Sequence, residues 1–142
     1  MRKMPWRAVA SVAVAWFFLV AGSCSGPSRD QSVSSASGFQ IFVTADPNTV
    51  KVQPGGQEPG GCSIITAKVF NTTGQLVDGA PVTFTKSLGV FPIGTEEFDA
   101  VTIRTTNGLA TAVLCAKQQV GTSLVTATVE DASDTVIVTF FF

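Results

Sequence analysis

Val101-Thr-Ile103-Arg-Thr105-Thr-Asn107-Gly108-Leu-Ala110-Thr-Ala112-Val-Leu114 alternates apolar and polar side chains on both sides of an Asn-Gly pair. A period of two marks a strand with one face buried and the other in water. Val101 and Ile103 share a face before the pair, and Ala110, Ala112 and Leu114 share one after it. Asn107 and Gly108 can fill both positive-φ positions of a type I′ turn, so the stretch predicts a tight hairpin.

The same pattern extends outward in both directions. Phe39 to Ala45 is rich in aromatic and β-branched residues and stops at Asp46-Pro47-Asn48. Thr49 to Gln53 is a short piece ended by Pro54-Gly55-Gly56. Cys62 to Asn71 sets Ile65, Ala67 and Val69 on one face, and Asn71-Thr-Thr-Gly74 is a turn signal. Val82 and Phe84 pair on one face, as do Val125, Ala127 and Val129, and Val136 to Phe142 forms the last run. No helical period occurs after Phe39. Seven to eight strands spaced by about ten residues predict an all-β antiparallel sandwich.

The first 23 residues differ in kind. Arg2, Lys3 and Arg7 precede an uncharged run from Ala8 to Val20, which ends in small residues. That is the order of a secretory signal. Ala8 to Ser23 is 16 residues, short of the roughly 20 that a membrane-spanning helix needs. Val20-Ala21-Gly22-Ser23-Cys24 resembles a bacterial lipobox, where signal peptidase II cuts before a diacylglycerol-bearing cysteine. The resemblance implies that Cys24 is lipidated and anchors the mature protein to a membrane. An ordinary signal cut before Cys24 is the alternative. Ser25 in place of Asp argues, by resemblance to enterobacterial sorting, for the outer membrane in a two-membrane host. The organisation expected is a signal over 1–23, a tether over 24–38 and one domain over 39–142. The tether is rich in Ser and Gly, with Val33 its one large apolar side chain, and cannot bury enough to order itself.

Removing the signal takes every Trp and Met with it, and the chain has no His or Tyr at all. Nine basic residues fall to six against ten acidic ones, a net charge of −4. An acidic body lacks the clustered Lys and Arg on which nucleic-acid binding depends, so no nucleic-acid partner is expected. The lack of His excludes Ser-His-Asp and Cys-His catalysis and removes the commonest metal ligand. No catalytic, cofactor or metal site is expected. Glu96-Glu97-Phe98-Asp99 is the one candidate for an oxygen-ligated cation or a carboxylate-pair hydrolase, weighed against an ordinary solvated loop. Glu130-Asp131 and Asp134 read as the turn of the last hairpin.

Gly74-Gln-Leu-Val77-Asp-Gly79-Ala-Pro-Val82-Thr-Phe84 resembles the G-x-x-V-x-G-x-x-V-x-F segment of bacterial Ig-like domains of the invasin/intimin type. Val43-Thr-Ala-Asp-Pro47, Thr105-Thr-Asn-Gly108 with Ala110 and Leu114, and Gly121 with Val125 and Ala127 continue the likeness over nearly the whole body. The resemblance implies an Ig-like β-sandwich used for adhesion or structural spacing, with no catalytic residues to transfer. The chain departs from the family's tandem arrays by placing one such domain behind a lipid-anchor motif.

With Cys24 assigned to lipid, Cys62 and Cys115 remain as a pair in an oxidising compartment, where a disulfide is expected over two free thiols. Closing a loop of 54 residues stabilises by about 4 kcal/mol in the chain-entropy model. Both cysteines are out of phase with the apolar residues of their strands. Either a bulge resets the phase at both ends, or the bridge is peripheral. Finally, Phe140-Phe141-Phe142 cannot all point inward, because strand side chains alternate, so at least one is a candidate contact residue. The leading functional reading is a non-enzymatic envelope lipoprotein that presents an Ig-like domain for adhesion or structural contact. The second is an accessory subunit of a larger envelope or secretion assembly, docking a protein partner through a sheet edge or the Phe-rich end.

Overall fold

A computed structural model describes residues 38–53 and 61–142. The signal, Cys24 and all of the tether but Gly38 lie outside the described residues. The strands are β1 (Gln40–Asp46), β2 (Thr49–Lys51), β3 (Cys62–Phe70), β4 (Pro81–Lys86), β5 (Phe91–Ile93), β6 (Glu96–Phe98), β7 (Ala100–Arg104), β8 (Leu109–Cys115), β9 (Gly121–Val129) and β10 (Ala132–Phe141). Eight of them coincide with the alternating runs. The other two, β5 and β6, carry Pro92 and the charged Glu96-Glu97, which mask them as strands in the sequence.

A three-stranded sheet in the order β1-β3-β8 faces a five-stranded sheet in the order β2-β10-β9-β4-β7, and β5-β6 form a small separate ladder. All pairs are antiparallel except β2 with β10. Alternation sets what each sheet buries. Ile65, Ala67 and Val69 of β3 and Ala110, Ala112 and Leu114 of β8 meet Val82 and Phe84 of β4 and Val125, Ala127 and Val129 of β9. Phe84, Phe91 and Phe140 are the largest fully buried side chains. The outward positions of the five-stranded sheet are mostly Thr, including Thr83 and Thr102, whose hydroxyls meet at 2.9 Å across β4 and β7.

Asn107 and Gly108 both have positive φ, 51° and 74°, and Thr106 and Leu109 exchange main-chain hydrogen bonds of 2.8 and 3.0 Å around them. The turn therefore forms as its sequence requires, but it does not make a hairpin. β7 pairs with β4 and β8 pairs with β3, so the two strands leave the turn into opposite sheets. Each strand's inward edge is taken by a different neighbour, and the turn becomes a corner of the sandwich. A second expectation also changes. The turn between β9 and β10 is Glu130-Asp131 alone, while Asp134 lies within β10 on its inward phase.

Phe84 lies at the centre of the core and is fully buried. Replacing it with Ala should cost about 4 kcal/mol of unfolding free energy, read as a lowered urea midpoint with an unchanged slope.

Candidate functional site

Cys62 and Cys115 are joined by a disulfide. They stand directly opposite each other in the β3/β8 ladder, so the bridge lies within one sheet and does not tie the two sheets together. Of the two readings that the phase allowed, the peripheral one holds. The main chain of Cys115 exchanges both of its hydrogen bonds with Val90, at 2.9 Å each. Cys115 therefore faces Cys62 as a non-hydrogen-bonded pair, the closer of the two antiparallel spacings, with Cα atoms 4.1 Å apart. The bridge fastens the end of β8 to β3 on the outward face.

The acidic run does not converge. Glu96 and Glu97 sit on β6, Glu97 pairs with Lys117, and Asp99 pairs with Lys86. The Lys86 ammonium, by hydrogen bond and by charge, holds the Asp99 carboxyl below the ordinary aspartate range. Its favourable ionisation is thus fully present above that range and is lost as pH falls through the lowered value. Among the described residues no group of three acidic, Cys or His side chains is placed to hold a metal ion.

The Gly74–Phe84 segment and the Thr105–Gly108 corner lock together. The Thr105 hydroxyl donates to the Val77 carbonyl at 2.6 Å and accepts from the Ala80 amide at 2.9 Å. The Thr105 main chain bonds Gly79 and Ala80, the Gly108 amide donates to Asp78 Oδ1, and the Val69 amide donates to the Gly108 carbonyl. Gly108 is required twice over. Its φ of 74° suits glycine, and a Cβ there would lie 2.5 Å from two side-chain carbons of Leu76. Before it, Asn71 Oδ1 accepts from the amides of Thr73 and Gln75 at 3.0 and 2.9 Å, forming the expected turn. The spacing of glycines in this segment is thus the spacing of one hydrogen-bonded corner. Sequence reasoning placed these residues as scaffold but missed the Thr105 hydroxyl. Its position in phase with Val101 and Ile103 was the available signal.

The two long sides of the sandwich differ. On the β1 side the chain itself crosses from β1 to β2 through Pro47 and Asn48, and Ser63 Oγ donates to the Pro47 carbonyl at 2.7 Å. Asp134, reaching across from β10, accepts from the Val43 amide of β1 at 2.8 Å. An inward carboxylate at a strand edge is a common device against edge pairing. On the opposite side, β7 and β8 enter different sheets from the Asn107-Gly108 corner. Between them and β5 lies an apolar cleft of about 300 Å³, lined by Phe91, Pro92 and Ile93 of β5, Val101 and Ile103 of β7, and Thr111, Ala112 and Val113 of β8.

Apolar side chains are also exposed outside the cleft, among them Ile64 and the cross-strand neighbours Leu124 and Ile137. Phe42 and Phe70 stand edge to face at 5.8 Å on the outer surface of the three-stranded sheet. At the end of β10 Phe140 is buried and Phe141 is 44% exposed, as alternation requires, while Phe142, past the end of the strand, is 65% exposed.

The arrangement defines an immunoglobulin-like β-sandwich with an interlocked corner, one sealed side and one open side. Among solved structures it is similar to the D0–D1 domains of intimin, at 30% identity and a TM-score of 0.55 over 75% of this chain and 50% of that one. It is similar at 30% identity and a TM-score of 0.52 to a C-terminal 282-residue intimin fragment in complex with the intimin-binding domain of the translocated intimin receptor, over 70% of this chain and 32% of that one. The Yersinia pseudotuberculosis adhesin InvE shares the fold at 21% identity and a TM-score of 0.54, over 71% of this chain and 26% of that one. The chain spans half or less of the length of each structure. No family model matches it, and no curated protein matches it.

Thr105→Val keeps the shape of the side chain but leaves the Val77 carbonyl and Ala80 amide without their partner. It should destabilise the domain by about 2 kcal/mol in urea unfolding, whereas the exposed Thr102→Val should change stability by less than about 0.5 kcal/mol.

Proposed function

We propose that the chain is a non-enzymatic envelope lipoprotein, held in the membrane by a lipid on Cys24 and presenting its Ig-like domain for adhesion or structural contact with another protein. The observation that carries this reading is the likeness, at 30% identity, to intimin domains, one of them solved with its receptor's intimin-binding domain. The lipobox-like sequence supplies the anchor, and a Ser/Gly-rich tether would let the domain clear the lipid headgroups. Lipidation of Cys24 would put the domain at the cell envelope, in the outer membrane of a two-membrane host.

A second reading has a specific observation in its favour. The apolar cleft lined by β5, β7 and β8 is a surface suited to docking, which fits an accessory subunit of a larger envelope or secretion assembly. The exposed Phe141 and Phe142 offer that subunit a further contact.

Expressed in a bacterial host, the full chain should fractionate with membranes and accumulate as an uncut precursor when signal peptidase II is inhibited by globomycin. Cys24→Ser should abolish both behaviours. Processing that ignores globomycin, or a Cys24→Ser chain that stays with lipid, contradicts the anchor. Crosslinking and capture from detergent-solubilised membranes then separates the two readings: a stoichiometric envelope partner favours the subunit, and binding at the cell surface favours adhesion.

A further inference from the structure

We infer that Phe42, Phe70, Leu76 and Leu109, grouped around Lys68 on the outer face of the three-stranded sheet, form a membrane-docking surface that lays the domain on the anionic phospholipid holding its anchor. The inference rests on the reading of this chain as a lipoprotein anchored through Cys24, and it adds which side of the domain faces the lipid.

Register assembles the patch. Phe42 of β1, Lys68 of β3 and Leu109 of β8 stand in one cross-strand row, and all three are exposed. Phe70 follows two residues after Lys68 on the same face of β3, edge to face with Phe42 at 5.8 Å. Leu76, which is 52% exposed, bridges to Phe70 and lies over Gly108, next to Leu109. Single exposed apolar side chains are ordinary on a folded domain. Four grouped around one cation have the composition of a surface that enters the headgroup layer. Lys68 belongs to neither ion pair found among the described residues, so its ammonium is placed to meet a lipid phosphate.

The position of the anchor names the occupant. Gly38, where the described residues begin, sits so close to Thr72 that a Cβ would lie 2.5 Å from the threonine methyl. Thr72 follows Phe70 by two residues, so the chain enters the domain beside the patch. Phe42 lies four residues further on, at most about 14 Å from Gly38. Ser25 to Gly38 is 14 residues, and a Ser/Gly-rich run of that length spans about 20 Å on average. A lipid on Cys24 thus brings headgroups within reach of the patch and makes docking an intramolecular event, for which a weak contact suffices. A partner free in solution has no such advantage. A second copy meeting this patch across a two-fold axis would set Lys68 against Lys68, whereas phospholipid offers it phosphate.

Charge selects the same face. The bond from the Val43 amide to Asp134 sets the start of β1 level with the start of β10, so the turn carrying Glu130 and Asp131 lies at this end. Those two carboxylates belong to the five-stranded sheet, and Asp78, at the corner, accepts from the Gly108 amide. The rows of Gln40 with Phe70 and of Phe42 with Lys68 and Leu109 hold no carboxylate. A body of net charge −4 is repelled by anionic lipid where it leads with its acids, so the face that leads with Lys68 turns to the surface. β10 runs from that turn to Phe141, which leaves Phe141 and Phe142 at the end remote from the anchor and available to a protein partner.

The test uses the full chain, expressed with its signal, purified from membranes and reconstituted into vesicles. These contain phosphatidylethanolamine and phosphatidylglycerol, with dibrominated phosphatidylcholine as a fluorescence quencher. Trp6 and Trp16 both leave with the signal, so a single introduced Trp reports alone. Phe42→Trp and Leu109→Trp, two independent reporters in the patch, should shift to the blue and be quenched. Ile137→Trp, exposed on the outer face of the other sheet, should do neither. Adding Lys68→Gln to either patch reporter should lower the ratio of docked to free domain by about fivefold, and raised salt should act in the same direction. Mass spectrometry of the same material reads the lipid on Cys24; without it the anchor and the docking fall together. Lipid on Cys24 with patch reporters quenched no more than Ile137→Trp would overturn the docking and leave the anchor standing. So would a blue shift without quenching, which reports burial against a second copy or another protein, or quenching that is indifferent to Lys68→Gln.

Discussion

The two sheets are held together by apolar contact. The disulfide lies inside one sheet, so it cannot clamp the sandwich, and the chain crossings lie at its margins. What brings the three-stranded sheet onto the five-stranded one is burial of the alternate side chains from Ile65, Ala67, Leu114, Val82, Phe84, Val125 and their neighbours. Each fully buried Val, Leu, Ile or Phe contributes about 1.5–3 kcal/mol relative to exposure, and the backbone entropy of ordering the strands opposes it. A period of two over eight runs is therefore both the signature of the fold and its driving force.

The polar groups drawn into that layer show how the fold tolerates them. Ser63, Ser123 and Thr105 are buried, and each hydroxyl serves a loop carbonyl or amide that would otherwise go unpaired. Among the described residues no buried side-chain donor or acceptor lacks a partner. Thr105 is the most consequential of the three, because it ties the Val77–Ala80 loop to the corner that sends β7 and β8 into opposite sheets. The corner makes the separation, and the separation makes the cleft.

Most of the fold was legible before any coordinates. Val82 with Phe84, Ala110 with Leu114, and Val125 with Val129 each declared their inward face, and Asn107-Gly108 declared its turn. The destination of the turn was not legible, because the same inward phase suits a hairpin within one sheet and a corner between two. β5 and β6 were hidden by Pro92 and by the charged Glu96-Glu97. The phase of Cys62 and Cys115 pointed correctly to a bridge off the core, but only the register showed them facing each other across a single ladder. Asp134 resembles a turn residue by type, but it takes its place in the inward row that runs from Ala132 through Val136 to Phe140.

The central claim is a sandwich closed by apolar packing and guarded along β1 by Asp134. Amide hydrogen exchange of the free chain, resolved by residue, tests it most directly. In β8, Ala110, Ala112 and Leu114 should be strongly protected, and in β1 the Val43 amide should be slowed by Asp134 despite its place at a sheet edge. Fast exchange at Ala110, Ala112 and Leu114, or a Val43 amide as fast as that of the exposed Thr72, would contradict the account.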